Sequence, residues 1–304
     1  MNLYLPIAGM SVNILVIIGL GGLVGLLSGM FGVGGGFLTT PLLIFYGIPP
    51  SVAVASSAPQ ITGASVSGVF AHRLRGGVDM RMGWVLVAGG ALGALIGGFL
   101  FRALQAVGQI DMVVGLLYVF MLGGVGVTMA YEAITSLTAL KRGEAVTSRS
   151  RRHHPIIASL PGRWRFYSSG LYISPIAPFA LGCATGILTA MMGVGGGFIL
   201  VPAMIYLLGM STRVVVGTSL FQILFVTAAT TLMHSVTTRS VDIVLASLLL
   251  IGSVIGAQFG ARFAQKVKPE YLRLLLAFVV LTVAFRMALG LTWRPPEIFT
   301  VEPL

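Results

Sequence analysis

Two short polar clusters interrupt otherwise apolar segments: Ser56, Ser57 and Gln60, and again Thr218, Ser219 and Gln222. Hydroxyls three and four residues before a glutamine share its face on a helix, so each cluster presents neutral hydrogen-bonding groups along one stripe. Such groups suit an anion that must be held and then released, because a fixed arginine would bind too strongly to let go. Gln60 and Gln222 are therefore candidate ligands. Ser57 and Ser219 stay open between that role and interhelical hydrogen bonds, which contribute about 0.6 kcal/mol each in a membrane.

Backbone groups form the second candidate. Met30-Phe31-Gly32-Val33-Gly34-Gly35-Gly36-Phe37 returns as Met191-Met192-Gly193-Val194-Gly195-Gly196-Gly197-Phe198, each copy breaking a long apolar segment and leading into a new helix. The first N–H groups of a helix lack internal partners and carry about half a positive charge, so such a start binds anions. Gly34, Gly35 and Gly36, with Gly195, Gly196 and Gly197, are the positions expected to line it. Close helix packing is the alternative, but these glycines are denser than the every-fourth-residue spacing of a packing groove. That spacing does occur at Gly89, Gly93, Gly97 and at Gly252, Gly256, Gly260, which are read as packing stripes. Nucleotide binding is excluded: the sixth place from Gly32 is Phe37, and no Gly-Lys-Ser/Thr follows either cluster.

Other polar residues have competing roles. His72 and His234 close equivalent helices and could snorkel or cap at opposite surfaces, or serve a proton-linked gate. Asp79 and Asp242 open the following helices and are read as N-caps. Arg213 could guide anions inward. Cys183, the single cysteine, lies in an apolar run and is assigned to packing, which excludes an internal disulfide. No His/Glu metal pair, paired intramembrane carboxylates or Ser, His and Asp arrangement at common depth occurs, so no catalytic residue, metal or cofactor is expected and the chain is not read as an enzyme.

The elements that must position these groups follow from composition. The chain has 304 residues, 56% hydrophobic and 9% charged, with a mean hydropathy of +0.98. That marks an integral membrane protein, and continuous apolar runs rather than alternating ones make it all-α. At an offset of 161 Leu20, Gly21, Gly25, Pro41 and Ile44 meet identical residues; at 162 Ser57, Gln60 and His72 do; at 163 Asp79 and Gly89 do. Chance similarity of apolar segments matches Leu or Val, not Gln, His and Asp, so the chain is a duplicated unit. Helices are expected at 12–30, 37–47, 51–73, 83–103 and 110–134, then at 174–191, 197–209, 212–235, 243–264 and 271–291. A span needs about 20 residues, so 37–47 and 197–209 are read as returning arms of re-entrant hairpins. Ile14 to Leu27 has no preceding Lys or Arg and has a partner in the second half, so it is expected to belong to the fold rather than to a signal peptide.

The net charge of +11 sits between spans and is read as orientation, not nucleic-acid binding. Basic clusters fall in the loop with Arg73, Arg75 and Arg81, in the 135–172 segment, and around Arg262, Lys266, Lys268 and Arg273. Placing all three in the cytoplasm points the halves in opposite directions, with both termini outside. The expected organisation is therefore a first transmembrane repeat over 1–134, a basic cytoplasmic linker over 135–172 and a second repeat over 173–304. The two repeats are inverted, each a broken-helix hairpin plus three transmembrane helices.

GMFGVGGGFLTTPLL, its second copy MMGVGGGFILVPAMI, the following GTSLFQI and the basic central loop resemble the TauE/SafE sulfite exporter family. The resemblance implies a secondary carrier for sulfur-containing anions such as sulfite or organosulfonates, with the anion near Gly34 to Gly36, Gly195 to Gly197, Gln60 and Gln222. The expected function is an exporter of such anions by alternating access; an anion channel, or a scaffold acting through the basic linker, are the alternatives. Its partners would be a small anionic substrate and the lipid bilayer of the bacterial inner membrane, with homodimer formation left open.

Overall fold

The computed structural model describes residues 2–31, 36–74, 76–141, 161–264 and 269–292. Among them are ten α-helices: α1 (Ile14–Phe31), α2 (Gly36–Phe45), α3 (Pro50–Leu74), α4 (Met80–Ala106), α5 (Ile110–Lys141), α6 (Ile176–Met192), α7 (Gly197–Tyr206), α8 (Thr212–Met233), α9 (Ile243–Ala264) and α10 (Pro269–Thr292). A π-helical turn, His234–Thr238, extends α8. Five of the helices, α4, α5, α8 with its π turn, α9 and α10, are long and apolar enough to cross a membrane. At 25 residues α3 has the length but not the apolarity, since it carries the first serine and glutamine cluster. It does not need lipid compatibility along that face: Val52 to Ala58 are buried in protein. Large apolar side chains elsewhere face outward, among them Phe99, Phe120, Ile243 and Phe285, as a bilayer solvent permits.

Two short antiparallel hairpins were not expected from the sequence. β1 (Asn2–Leu5) pairs with β2 (Met10–Asn13) ahead of α1, and β3 (Trp164–Phe166) pairs with β4 (Leu171–Ile173) ahead of α6. They are copies of one another at the 161 offset. Leu5 and Phe166 are both fully buried, and the turn glycines Gly9 and Gly170 have φ of 66° and 67°. The second hairpin lies in the stretch read as linker, and it fastens to α4: Asp79 Oδ2 accepts from Ser169 N at 3.0 Å and from Ser169 Oγ at 2.8 Å.

Helices pair across the two halves. α1 runs along α9, α4 along α6, α3 against α8 and α5 against α10. The glycine stripes explain the first two. A Cβ on Gly89, Gly93 or Gly97 would run into the carbonyl oxygens of Phe179, Cys183 and Ile187, and one on Gly252, Gly256 or Gly260 into those of Ile18, Gly22 and Leu26. The two sets of targets are again 161 residues apart, so the contacts are reciprocal. In both pairs residue numbers rise together along the contact, hence α1 and α9 are parallel, as are α4 and α6.

Caps and cross-links follow the same exchange. Asp79 Oδ1 accepts from Met82 N and Asp242 Oδ1 from Leu245 N, both at 3.1 Å, the N-cap role expected of them. The Asp79 backbone N–H donates to Thr218 Oγ1 and that of Asp242 to Ser56 Oγ, both at 2.9 Å. Ser56 and Thr218 thus hold α3 and α8 to the starts of α9 and α4. One core cluster joins Phe37 and Phe198, the residues that follow the two breaks, with Phe101, Tyr118, Met192 and Val280.

Candidate anion site

At the second break α6 stops at Met192 because Gly193 takes a left-handed backbone, φ 68°, and Gly195 and Gly196 follow at φ 74° each. Side-chain-bearing residues rarely adopt that region, which is why the turn is written in glycine. Residues 193–197 are all buried. Gly196 caps α7 without any side-chain acceptor, leaving the polarity of the helix start uncompensated by a cap.

The start of α2 meets the second break. Gly34 and Gly35 lie outside the described residues, but Gly36 starts α2 so close to the other copy that a Cβ there would be 2.6 Å from the Val194 carbonyl oxygen. Phe37 and Phe198, the residues after the breaks, stack with centroids 4.5 Å apart at 11°. A Cβ on Gly195 would be 2.9 Å from Ile61 Cγ2 and 3.3 Å from Ile223 Cγ2. Both α3 and α8 therefore reach this point, each one residue beyond its glutamine.

Gln60 and Gln222 are 2% and 0% exposed, and Gln60 Oε1 together with both amide atoms of Gln222 has no hydrogen-bond partner in the protein. Buried amides are ordinarily paired, because an unmade hydrogen bond costs about 1–3 kcal/mol. The Gln222 amide nitrogen lies beside Gly90 of α4, where a Cβ would be 2.8 Å away. Gly90 sits off the packing stripe, and its neighbourhood to the site has no signature in sequence. The hydroxyls behave differently: Ser219 Oγ donates to Val216 O at 2.9 Å, and Ser57 Oγ is tied to Ala53 O and lies 2.7 Å from Thr40 Oγ1 of α2. Both are engaged without a ligand.

Side chains hold the ends of the broken helix. Tyr118 of α5, fully buried, donates to the Met192 carbonyl at 2.6 Å, and His234 Nε2 donates to the Ala190 carbonyl at 3.0 Å. These carbonyls belong to the last turn of α6, which has no helical donors of its own. His234 is not at a surface, as the sequence reading allowed. It opens the π turn and is fully buried, edge-on to Phe101 of α4 with centroids 4.7 Å apart. His72 is half-buried. Tyr118 escaped sequence reasoning, although a tyrosine buried in an apolar span must find a partner for its hydroxyl. Tyr118→Phe keeps the ring and orphans the Met192 carbonyl. It is expected to cost about 1–3 kcal/mol, read as a lower thermal unfolding midpoint. An unchanged midpoint would mean that the hydroxyl does not hold the break.

Comparison with known proteins gives these features a family. The sulfite exporter TauE/SafE family profile matches residues 17–287. A probable membrane transporter protein of Xylella fastidiosa (strain 9a5c) is 27% identical over 284 residues, covering 93% of this chain and 96% of the relative. The probable membrane transporter protein YjnA of Bacillus subtilis (strain 168) is 27% identical over 289 residues, covering 91% and 100%. MJ0441 of Methanocaldococcus jannaschii, also a probable membrane transporter protein, is 25% identical over 281 residues, covering 88% and 91%. No solved structure matches the chain. With its glycine breaks, cross-paired apolar helices and a match over nearly its whole length, the chain belongs to the TauE/SafE sulfite exporter family of multi-pass membrane transporters.

Proposed function

We propose that the chain is a secondary exporter of small sulfur-containing anions, such as sulfite or organosulfonates, working by alternating access between two inverted repeats. The anion is held where α2 and α7 begin, by backbone N–H groups of Gly34 to Gly36 and Gly195 to Gly197, with Gln60 and Gln222 as its side-chain ligands. The observation that carries this reading is Gln222, buried with an unpartnered amide nitrogen that can donate to an anion, on a helix that meets α3 beside the break. The unpartnered atom of Gln60 is its acceptor Oε1, so Gln60 joins by turning its amide over. An amide that is unpaired in the protein is poised for a ligand that brings its own polar atoms. Ser57 and Ser219 join only by exchanging their present acceptors.

The helix directions support the inversion. If α2 returns to the side where α1 starts, α3 and α4 make α4 antiparallel to α1. Because α4 is parallel to α6, α6 is then antiparallel to α1, its own counterpart. The transport mechanism uses the breaks as a site and the reciprocal pairs as the frame around it. His72 and His234 remain the candidates for gating, His234 through its bond to the last turn of α6.

Purified protein in liposomes preloaded with unlabelled anion is expected to exchange it for external label saturably. A panel of sulfite, sulfate, thiosulfate, taurine and sulfoacetate, read by exchange and by thermal shift, identifies the substrate. Conductance without exchange would establish a channel, and neither response would establish a scaffold.

A further inference from the structure

Two cavities flank the helices that follow the breaks. One, about 470 Å³, lies against α7, α5 and α10, with Phe198, Tyr206 and Glu132 in its wall. The other, about 270 Å³, lies against α2, the start of α5 and the end of α10, with Phe45, Asp111 and Arg286 in its wall. Phe45 and Tyr206 are 161 residues apart, the offset relating α2 to α7, so the aromatic ring is repeated while the charge beside it changes sign. Tyr206 donates to Glu132 Oε2 at 3.1 Å, whereas the Arg286 guanidinium stands 5.5 Å from the Phe45 ring centre.

Arg286 is the single charged residue in the span Leu274–Thr292, six residues from its end and thus about 9 Å along the axis. A charge within a span is costly and marks a functional position by default. Asp111 has a structural account: as the second residue of α5 it complements the positive end of that helix. Arg286 lies in the last two turns of α10, where its charge suits the helix end only weakly at that depth. Its guanidinium carbon lies within cation–π range of the Phe45 ring, the side chain is exposed, and its forked N–H donors match an oxyanion. With about 30 Å³ per water, 270 Å³ holds a small anion and part of its hydration shell.

We propose that the α2 cavity is a second, shallow anion site with Arg286 as its ligand, collecting anions on the extracytoplasmic side. The α7 cavity, with Glu132 in place of a cation, offers no such site on the cytoplasmic side. This rests on the transport reading and its orientation.

The test is exchange of [35S]sulfite in right-side-out and inside-out membrane vesicles loaded with unlabelled sulfite. Arg286→Gln should raise half-saturation about three- to fivefold in right-side-out vesicles at low salt, and less at about 0.5 M inert salt. Inside-out vesicles should show no change. Asp111→Asn should shift the same value the opposite way, Glu132→Gln should act from the inside-out face alone, and Arg286→Lys should retain most of the wild-type capture. Equal shifts on both faces, or shifts of the same sign for Arg286→Gln and Asp111→Asn, would make Arg286 a structural residue and overturn the inference. Wild-type exchange with no response to Arg286→Gln would also overturn it while leaving the transporter intact. Absence of sulfite exchange by the wild-type protein would overturn the sulfite reading and this inference together.

Discussion

Gln222→Met is expected to raise the thermal unfolding midpoint of the ligand-free protein while weakening anion binding by about one to two orders of magnitude. The signs are opposite because the two states differ in who satisfies the amide. Without ligand, both polar atoms of Gln222 are buried and unpaired, and methionine of similar shape removes that penalty of about 1–3 kcal/mol, part of which returns as imperfect packing. A net gain of about 1 kcal/mol corresponds to roughly 2–4 °C in a chain of this size. With ligand, the same change deletes the hydrogen bond from the Gln222 amide NH2 to a charged group, worth about 1.5–3 kcal/mol, so affinity falls by roughly 10- to 150-fold. A glutamine kept for packing would give a different pattern. Its loss would lower the midpoint and leave affinity alone, and that outcome, by differential scanning fluorimetry and equilibrium binding, would remove Gln222 from the site. Gln60→Met is expected to follow with a smaller stability gain, since only its Oε1 is unpartnered.

The sequence located the helices within about three residues, because apolar runs, glycine breaks and capping aspartates are local signals, except that α5 continues to Lys141, seven residues into the stretch read as linker. Asp79 and Asp242 did cap, and the stripes through Gly93 and Gly256 did pack. What escaped is what arises only when distant segments meet. Nothing near Tyr118 announces that its hydroxyl reaches Met192, 74 residues away. Gly90 differs from its stripe neighbours in facing Gln222, a matter of helix rotation. The hairpins have strands of three and four residues, too short to give a periodic signal, and became readable only as a pair through Gly9 and Gly170. In the candidate site, residue types were legible but their division of labour was not. Ser56 and Thr218 proved to be fasteners for backbone N–H groups, Ser57 and Ser219 are satisfied within the protein, and of these two polar clusters it is the glutamines that keep unmade bonds.

Gly93→Ala and Gly256→Ala are expected to destabilise the protein equally and severely, with little change in the anion affinity of the molecules that fold. At Gly93 a Cβ meets the carbonyl oxygen of Cys183, and at Gly256 that of Gly22, the same contact seen from the two halves. The obstruction is backbone in both cases, so no side-chain rotation relieves it and the helices must separate. Overpacking of this kind costs about 1–3 kcal/mol and more where backbone has to move. Larger effects are expected here because each stripe carries three such contacts in one interface. These interfaces also bear on which parts can move. α1 is locked to α9 and α4 to α6, each lock joining one half of the chain to the other. Alternating access by one half rocking as a block against the other would have to break both glycine interfaces. The moving units are therefore better drawn from helices outside these pairs, chiefly α2 and α7, which carry the breaks. The measurement is thermal unfolding of both variants, followed by binding on the monodisperse fraction. Wild-type midpoints in either variant would show that the stripes are loose, and a strongly unequal loss would show that the two interfaces are not equivalent.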